Sequence, residues 1–297
     1  MIRVRKTLAL CCAALLLACG QPPGEGPALW RVSDADSTVY LFGTVHVLPR
    51  ELQWKSERIT KAFADSETIW FETPTDAAAG AKIAAIVAAE GMNPPGVTLS
   101  SQLAPADRAR LVRVTASLGV APGALERVRP WVAAVQLSLA LLLKQGHDPA
   151  AGVEHVLEAD AAAQGKRTAY FETPEEQMAL FAGLTPEAER RFLSATLRQI
   201  EEEAHIGAEM DRLWASGDTG ALGRLLAAMT EEAGPEIADA LIYRRNERWA
   251  ARIDDMVDGG AGVAFVAVGA AHMSGPRGLP ALLRAQGHRV DGPEIVK

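Results

Sequence analysis

The chain has 297 residues, 48% of them hydrophobic and 23% charged, with a formal net charge of −7. It is too apolar for a disordered chain, too poor in Gly and Pro for a fibre, and too acidic for an electrostatic nucleic-acid binder. A core of useful size can be buried at this length, and with aromatics at only 5% it must be filled by aliphatic side chains and Ala.

Arg3, Arg5 and Lys6 precede an apolar run, Leu8–Ala18. A basic start followed by a short apolar run is the pattern of a secretory signal peptide. The run falls well short of the roughly 20 residues a membrane-spanning helix needs. It ends in Leu16-Leu17-Ala18-Cys19, which resembles the bacterial lipobox. Residues 1–18 are therefore expected to be a lipoprotein leader and Cys19 the lipidated residue. Residues 19–28 would then be a tether, and 29–297 one α/β domain. Gly20 after the cysteine favours the outer membrane of a Gram-negative cell, with the domain facing the periplasm and anchored to the membrane through Cys19. Losing the leader removes three positive charges (Arg3, Arg5, Lys6) and takes the net charge from −7 to −10. Cys11, Cys12 and Cys19 are all of the cysteines. The domain thus has no disulfide, thiolate ligand or cysteine nucleophile.

Leu29–Val32, Thr38–Phe42 and Thr68–Phe71 read as strands, with Ser33–Ser37 as a turn. From Asp76 to about Gly146 the apolar spacing is helical, interrupted at Asn93-Pro94-Pro95-Gly96. Pro130 opens an apolar helix, Trp131–Leu143, expected in the core. Glu154–Gln164 is a further helix and Arg167–Phe171 a strand. Pro174–Val257 is helical again, broken near Gly183, Gly217 and Gly234. Gly262–Val268 is the clearest buried strand, followed by a Gly-rich turn, a helix over Arg277–Gln286 and an extended piece, His288–Val290. Strands at both ends with helices between argue for an α/β fold with a mainly parallel central sheet. The helical insertions would cover about 76–165 and 174–257.

Two short motifs recur. Ile69–Pro74 and Ala169–Pro174 share FETP after an apolar run, and Tyr40–His46 and Val266–His272 share strand-GxxH. Their order, GxxH, FETP, FETP, GxxH, suggests a sheet of two similar halves. If the four strands run in parallel, His46, Glu72, Glu172 and His272 gather beyond one sheet edge, where ligands bind in such sheets. Gly43 and Gly269 would allow a tight turn and close backbone approach, leaving each histidine exposed. Each glutamate is expected at a strand-to-helix junction, with Thr173, Pro174 and Glu176 as a helix start.

Two imidazoles and two carboxylates make a credible site for a divalent Zn, Mn or Co ion. Such an ion acidifies water into a nucleophile, and one glutamate could instead be the general base. Arg245 could offer its guanidinium to an oxyanion. Glu201, His205 and Glu209, spaced by four on one helix face, read as a solvated charged face, and Glu154, His155 and Glu158 are discounted similarly. His147 and His288 read as exposed loop residues, and Met273 and Trp131 as core. No GxSxG, HExxH, P-loop or GxGxxG occurs.

These segments resemble the TraB/PrgY/GumN family, related to the Tiki metalloproteases. The resemblance is carried by LW…YLFGTVH at Leu29–His46, Ile69–Thr73, GKRTAYFETPEEQ at Gly165–Gln177, Arg245-Asn246, and VAVGAAHMSGPRGLPALLRAQG at Val266–Gly287. It implies an α/β sheet of two similar halves with helical insertions. His46 and His272 would be the GxxH histidines and Glu72 their acidic partner, with Glu172 and Arg245 completing the site. The function it implies is a metal-dependent hydrolase, in the first place a peptidase, taking a peptide or small-molecule substrate. A metal-free His/Glu esterase and a non-catalytic haem- or peptide-binding lipoprotein are the alternatives.

Overall fold

The computed structural model describes residues 26–202, 205–260 and 262–294. The expected leader, lipidated Cys19 and most of the tether lie outside the described residues. No helix of the described residues is long and apolar enough to cross a membrane.

The strands are β1 (Leu29–Ser33), β2 (Thr38–Thr44), β3 (Leu48–Pro49), β4 (Thr68–Phe71), β5 (His147–Asp148), β6 (Arg167–Tyr170), β7 (Val263–Gly269) and β8 (Arg289–Asp291). The first helices are α1 (Glu57–Asp65), α2 (Ala77–Glu90), α3 (Pro105–Leu118), α4 (Pro130–Lys144), α5 (Val153–Ala163) and α6 (Pro174–Ala182). They are followed by α7 (Pro186–Glu202), α8 (Ile206–Ala215), α9 (Thr219–Ala233), α10 (Pro235–Ala238), α11 (Arg244–Asp258) and α12 (Leu279–Ala285).

Six strands form one sheet in the order β6-β4-β7-β2-β1-β8. The first four are parallel to one another, and β1 is antiparallel to both of its neighbours. The mainly parallel α/β sheet expected from the sequence is therefore what forms. The motif-bearing strands pair like with like: β2 lies beside β7 and β4 beside β6. In each pair the echo is offset by one residue, Thr44 facing Gly269 and Phe71 facing Tyr170. The second sheet, β3 with β5, escaped the sequence reading because two-residue strands carry no periodicity.

β7 is apolar on both faces because helices cover both faces of a central parallel strand. Phe265 and Ala267 join Phe42, Ile69 and Phe71 against Ile59 and Phe63 of α1 and Val153 and Leu157 of α5. Val266 and Val268 join Val39 and Leu41 on the other face, against Trp249 and Ile253 of α11 and Leu279 and Leu283 of α12. The result is a three-layer α/β/α sandwich. Helices α3, α4 and α7 carry a core of their own, centred on Leu111, Leu137 and Leu193. Trp131 and Met273 are buried, as expected.

The helical breaks fall at Gly183, Gly217 and Gly234 as expected, but one more separates α7 from α8. Glu201 and Glu209 consequently lie on different helices, and the face shared with His205 does not form. Glu201 is tied instead to Arg110 and Arg113.

Candidate functional site

Because β2, β4, β6 and β7 are parallel, their carboxyl ends share one edge. The four residues that follow them, His46, Glu72, Glu172 and His272, come together there. The two motif glycines serve close approach rather than a left-handed turn, since neither has a positive φ. A Cβ on Gly43 would stand 3.0 Å from the Ala270 Cα. A Cβ on Gly269 would stand 3.1 Å from Glu72 Oε1, 3.5 Å from His46 Nε2 and 3.7 Å from His272 Cδ2. Those three groups thus converge on the space that the missing side chain leaves.

Glu72 is buried, and its Oε1 accepts from the Gly269 N–H at 2.7 Å. Burial pushes its carboxyl up. The neighbouring Arg245, His272 and His46, with the Gly269 N–H, outweigh this and hold it at about 2. Arg245 is the main counter-charge. Its Nη2 donates to Glu72 Oε2 at 2.6 Å and reaches Glu172 Oε2 at 2.9 Å, while Nε donates to the Glu172 carboxylate at 3.0 and 3.1 Å. Its Nη1 serves the Leu241 carbonyl at 2.9 Å and His272 Nε2 at 3.1 Å. All three guanidinium nitrogens are thus engaged, and the group stacks 4.5 Å over the Trp249 ring. Leu241 belongs to a π-helical turn, Asp239–Tyr243, that leads into α11; such turns recur at functional sites. Glu172 is also reached by Arg248 at 2.9 Å. It sits at the strand-to-helix junction as expected, beside the Thr173–Glu176 capping box. After Glu72 the chain differs: α2 starts later, capped by Asp76, while the Thr75 side chain bonds to Glu158.

His272 is buried at 3% side-chain exposure, not exposed as the sequence suggested, because α11 lays Trp249 against its ring at 4.5 Å. Arg245 can only donate, so His272 Nε2 accepts and Nδ1–H donates to Asn246 Oδ1 at 2.6 Å. Burial, with the charges of Arg245 and His46, lowers its pKa to about 3 despite Glu72. It is a neutral imidazole whose Nε2 lone pair faces the site and is taken there by Arg245 Nη1.

His46 keeps 66% of its side-chain surface accessible, exposed as the sequence suggested, and lines the cavity beside the helical insertion. Its Nδ1 is held 2.7 Å from Glu154 Oε1, which also takes the Thr44 hydroxyl. The Glu154 charge and hydrogen bond raise the His46 pKa to about 9 against the opposing effect of its surroundings. Gly152 makes this seat possible: a Cβ there would lie 2.1 Å from the His46 carbonyl oxygen. The next residue, Val153, donates its N–H to the Val45 carbonyl.

Glu154 is thus not a solvated surface residue but a buried partner of His46. Its sequence signal was phase. Glu154 falls in register with buried Leu157 and Ala161 of α5, although exposed neighbours make the segment look polar. Asn246 carries the same signal, in phase with buried Trp249, Ala250 and Ile253. A polar residue on a buried stripe must find a partner, and here both partners are motif histidines. His147 and His288 also need correction. His147 is buried, bonded to Asp211 at 2.8 Å, and His288 is half-buried and bonded to Asp254 at 2.5 Å. Packing of α8 and α11 against those segments removes them from solvent.

Among the described residues, the His/carboxylate trio whose ligand atoms all lie within 4.8 Å of one another is Asp254, Asp258 and His288, away from this edge. At the edge itself the chemistry fits a divalent ion better. Two imidazoles have Nδ1 engaged by Glu154 and Asn246 and Nε2 turned to the site, the outer-shell arrangement that orients metal-ligating histidines. An ionised carboxylate lies beside them, and the cradle is one that a single Cβ would fill. His46, Glu72 and His272 fit the ion once Arg245 Nη1 and Nη2 withdraw from His272 Nε2 and Glu72 Oε2, whereas Glu172 is held by two arginines, Arg245 and Arg248.

The three groups line a cavity of about 560 Å³, and His46, Glu72 and Gln177 also line a second of about 360 Å³. Sheet, helical insertion and a paired-histidine edge define an α/β protein with a buried polar site at the strand ends. The TraB/PrgY/gumN family model matches residues 28–292, and the chain belongs to that family. No curated protein and no solved structure matches the chain.

Proposed function

We propose that the protein is a metal-dependent hydrolase that directs water onto a substrate carbonyl, with peptide bonds as the first expectation, and that it faces the periplasm on a lipid anchor at Cys19. The observation that carries this reading is the convergence of His46, Glu72 and His272 on the space beside Gly269. When bound, a Zn, Mn or Co ion supplies Lewis acidity and a more acidic water. His46 Nε2, His272 Nε2 and the Glu72 carboxylate would hold the ion, the latter two in exchange for their bonds to Arg245. Glu154 and Asn246 fix the two rings, and Arg245 keeps Glu72 ionised. Glu172 anchors Arg245 from its other side, and the apolar cavity wall excludes water from the substrate.

A metal-free His/Glu hydrolase is the second reading, favoured by the His46–Glu154 pair. A His46 held at about 9 is protonated at neutral pH, with its Nε2–H available to a leaving group. The two readings separate on peptide and ester substrates assayed with Mn²⁺, Co²⁺ or Zn²⁺ and with EDTA. Turnover abolished by EDTA and restored by an ion supports the first. EDTA-insensitive turnover transfers the proposal to the second, and tight binding without turnover removes both.

A further inference from the structure

The larger cavity meets the site at His46, Glu72 and His272 and runs between the helices of the insertion. Its wall is made of Leu142, Leu180, Ile206, Met210, Met229 and Ile242, among others. These belong to α4, α6, α8, α9 and the π-helical turn, so the backbone donors and acceptors around them are used within helices. Of the polar side chains on the wall, Thr196 donates to the Phe192 carbonyl and Asp211 pairs with buried His147, which leaves Ser138 and Gln199 as the groups a ligand could reach. A peptide drawn into this space would lose water from its own N–H and C=O groups and find few partners there, which is unfavourable. A hydrocarbon chain carries no such groups. Two flexible methionines also suit a chain of variable shape.

The smaller cavity shares His46, Glu72 and Gln177 with the larger one. Its own lining adds Thr73, Thr75 and His155, none of which borders the larger cavity. A substrate lying across the edge would have one part in each space, with the bond between them at the histidines.

Building on the hydrolase reading, we infer that the substrate is an acyl compound, with its aliphatic acyl chain in the 560 Å³ cavity and its polar leaving group in the smaller one. The acyl carbonyl lies beside His46 and Glu72. Hydrolysis adds water across the acyl–oxygen or acyl–nitrogen bond, giving a carboxylic acid and an alcohol or amine.

The test has two arms on the purified protein. In the first, p-nitrophenyl esters and p-nitroanilides from acetyl to dodecanoyl are compared; the two series distinguish an ester from an amide source. The expected kcat/KM rises with chain length, by up to about fourfold per buried methylene, until the cavity is full. Met229→Trp, which narrows the cavity, is expected to shift the optimum to shorter chains. Met210→Trp is the second variant should that one fail to fold. In the second arm, dodecanoic acid binding is followed by displacement of a fluorescent fatty acid without added metal. Micromolar binding weakened tenfold or more by the same variants is expected. Chain binding without turnover of any substrate leaves the cavity assignment standing and removes the hydrolase reading. Turnover indifferent to chain length, or no binding of the chain, overturns the assignment.

Discussion

Replacing Arg245 with Met tests the electrostatics of the edge without reference to any ligand. Methionine keeps most of the stem and its contact with Trp249, but removes the charge that separates two buried carboxylates. Breaking a buried pair by deleting one partner costs about 3–5 kcal/mol. The lower end is expected here, because Glu172 retains Arg248 and Glu72 retains the Gly269 N–H. At roughly 2–4 °C per kcal/mol for a chain approaching this size, the melting temperature at pH 7 should fall by about 6–12 °C. The pH dependence follows from Glu72, held at about 2 against an ordinary 4.5. A depressed carboxyl pKa contributes stability that is fully present above about 4.5 and is lost as the pH falls toward 2. The gap between wild type and variant should therefore be widest near neutrality and narrow below about pH 4.5. Divalent ion added to the variant should recover stability, because it replaces the missing positive charge beside Glu72. Circular-dichroism melts at pH 7 and pH 4 measure all three effects. A shift under about 2 °C, or one equal at both pH values, would refute the electrostatic account.

Three further outcomes follow from the same geometry. Glu154→Gln should return the His46 pKa from about 9 toward its ordinary 6.5, read by NMR titration of the imidazole. The wild-type pair stabilises fully below about 6.5 and loses its contribution as the pH rises through 9, so a midpoint still near 9 in the variant would contradict the assignment. Gly269→Ala is compatible with the backbone at φ −48° and ψ 140°. It should therefore fold, with a modest loss of stability from the 3.1 Å approach to Glu72 Oε1, while lowering divalent-ion affinity about 10–100-fold, and calorimetry finding equal affinity would argue against the cradle. Ion binding should release about one proton near pH 7 and tighten as the pH rises toward 9, because His46 must give up its Nε2 proton. Calorimetry in buffers of different ionisation enthalpy counts that proton, and pH-independent affinity would remove His46 from the ligand set.

The sheet was legible because its strands are continuous β-branched and aromatic runs between turn residues, as in Val263–Gly269. The edge was legible because a histidine or glutamate followed each of four strands that proved parallel. What stayed hidden was the set of partners. Glu154 and Asn246 reach their histidines from helices that are distant in sequence or on the far side of the sheet. No local pattern states that pairing, although both residues interrupt otherwise buried helical stripes. His147 and His288 were misread for a related reason. Each follows a glycine in a segment that looks like loop, and burial came from a helix packing over it. The engagement of Glu172 by two arginines was likewise invisible, since Arg245 and Arg248 lie more than seventy residues away.

We propose above all that His46, Glu72 and His272 hold a divalent ion. It is tested most directly by elemental analysis of the purified wild-type protein and of His46→Ala and His272→Ala, each incubated with Mn²⁺, Co²⁺ or Zn²⁺ and then desalted. One ion per chain in the wild type and none in either variant is the result expected. Stoichiometric ion retained in both variants, or none in the wild type with any of the three metals, would contradict it.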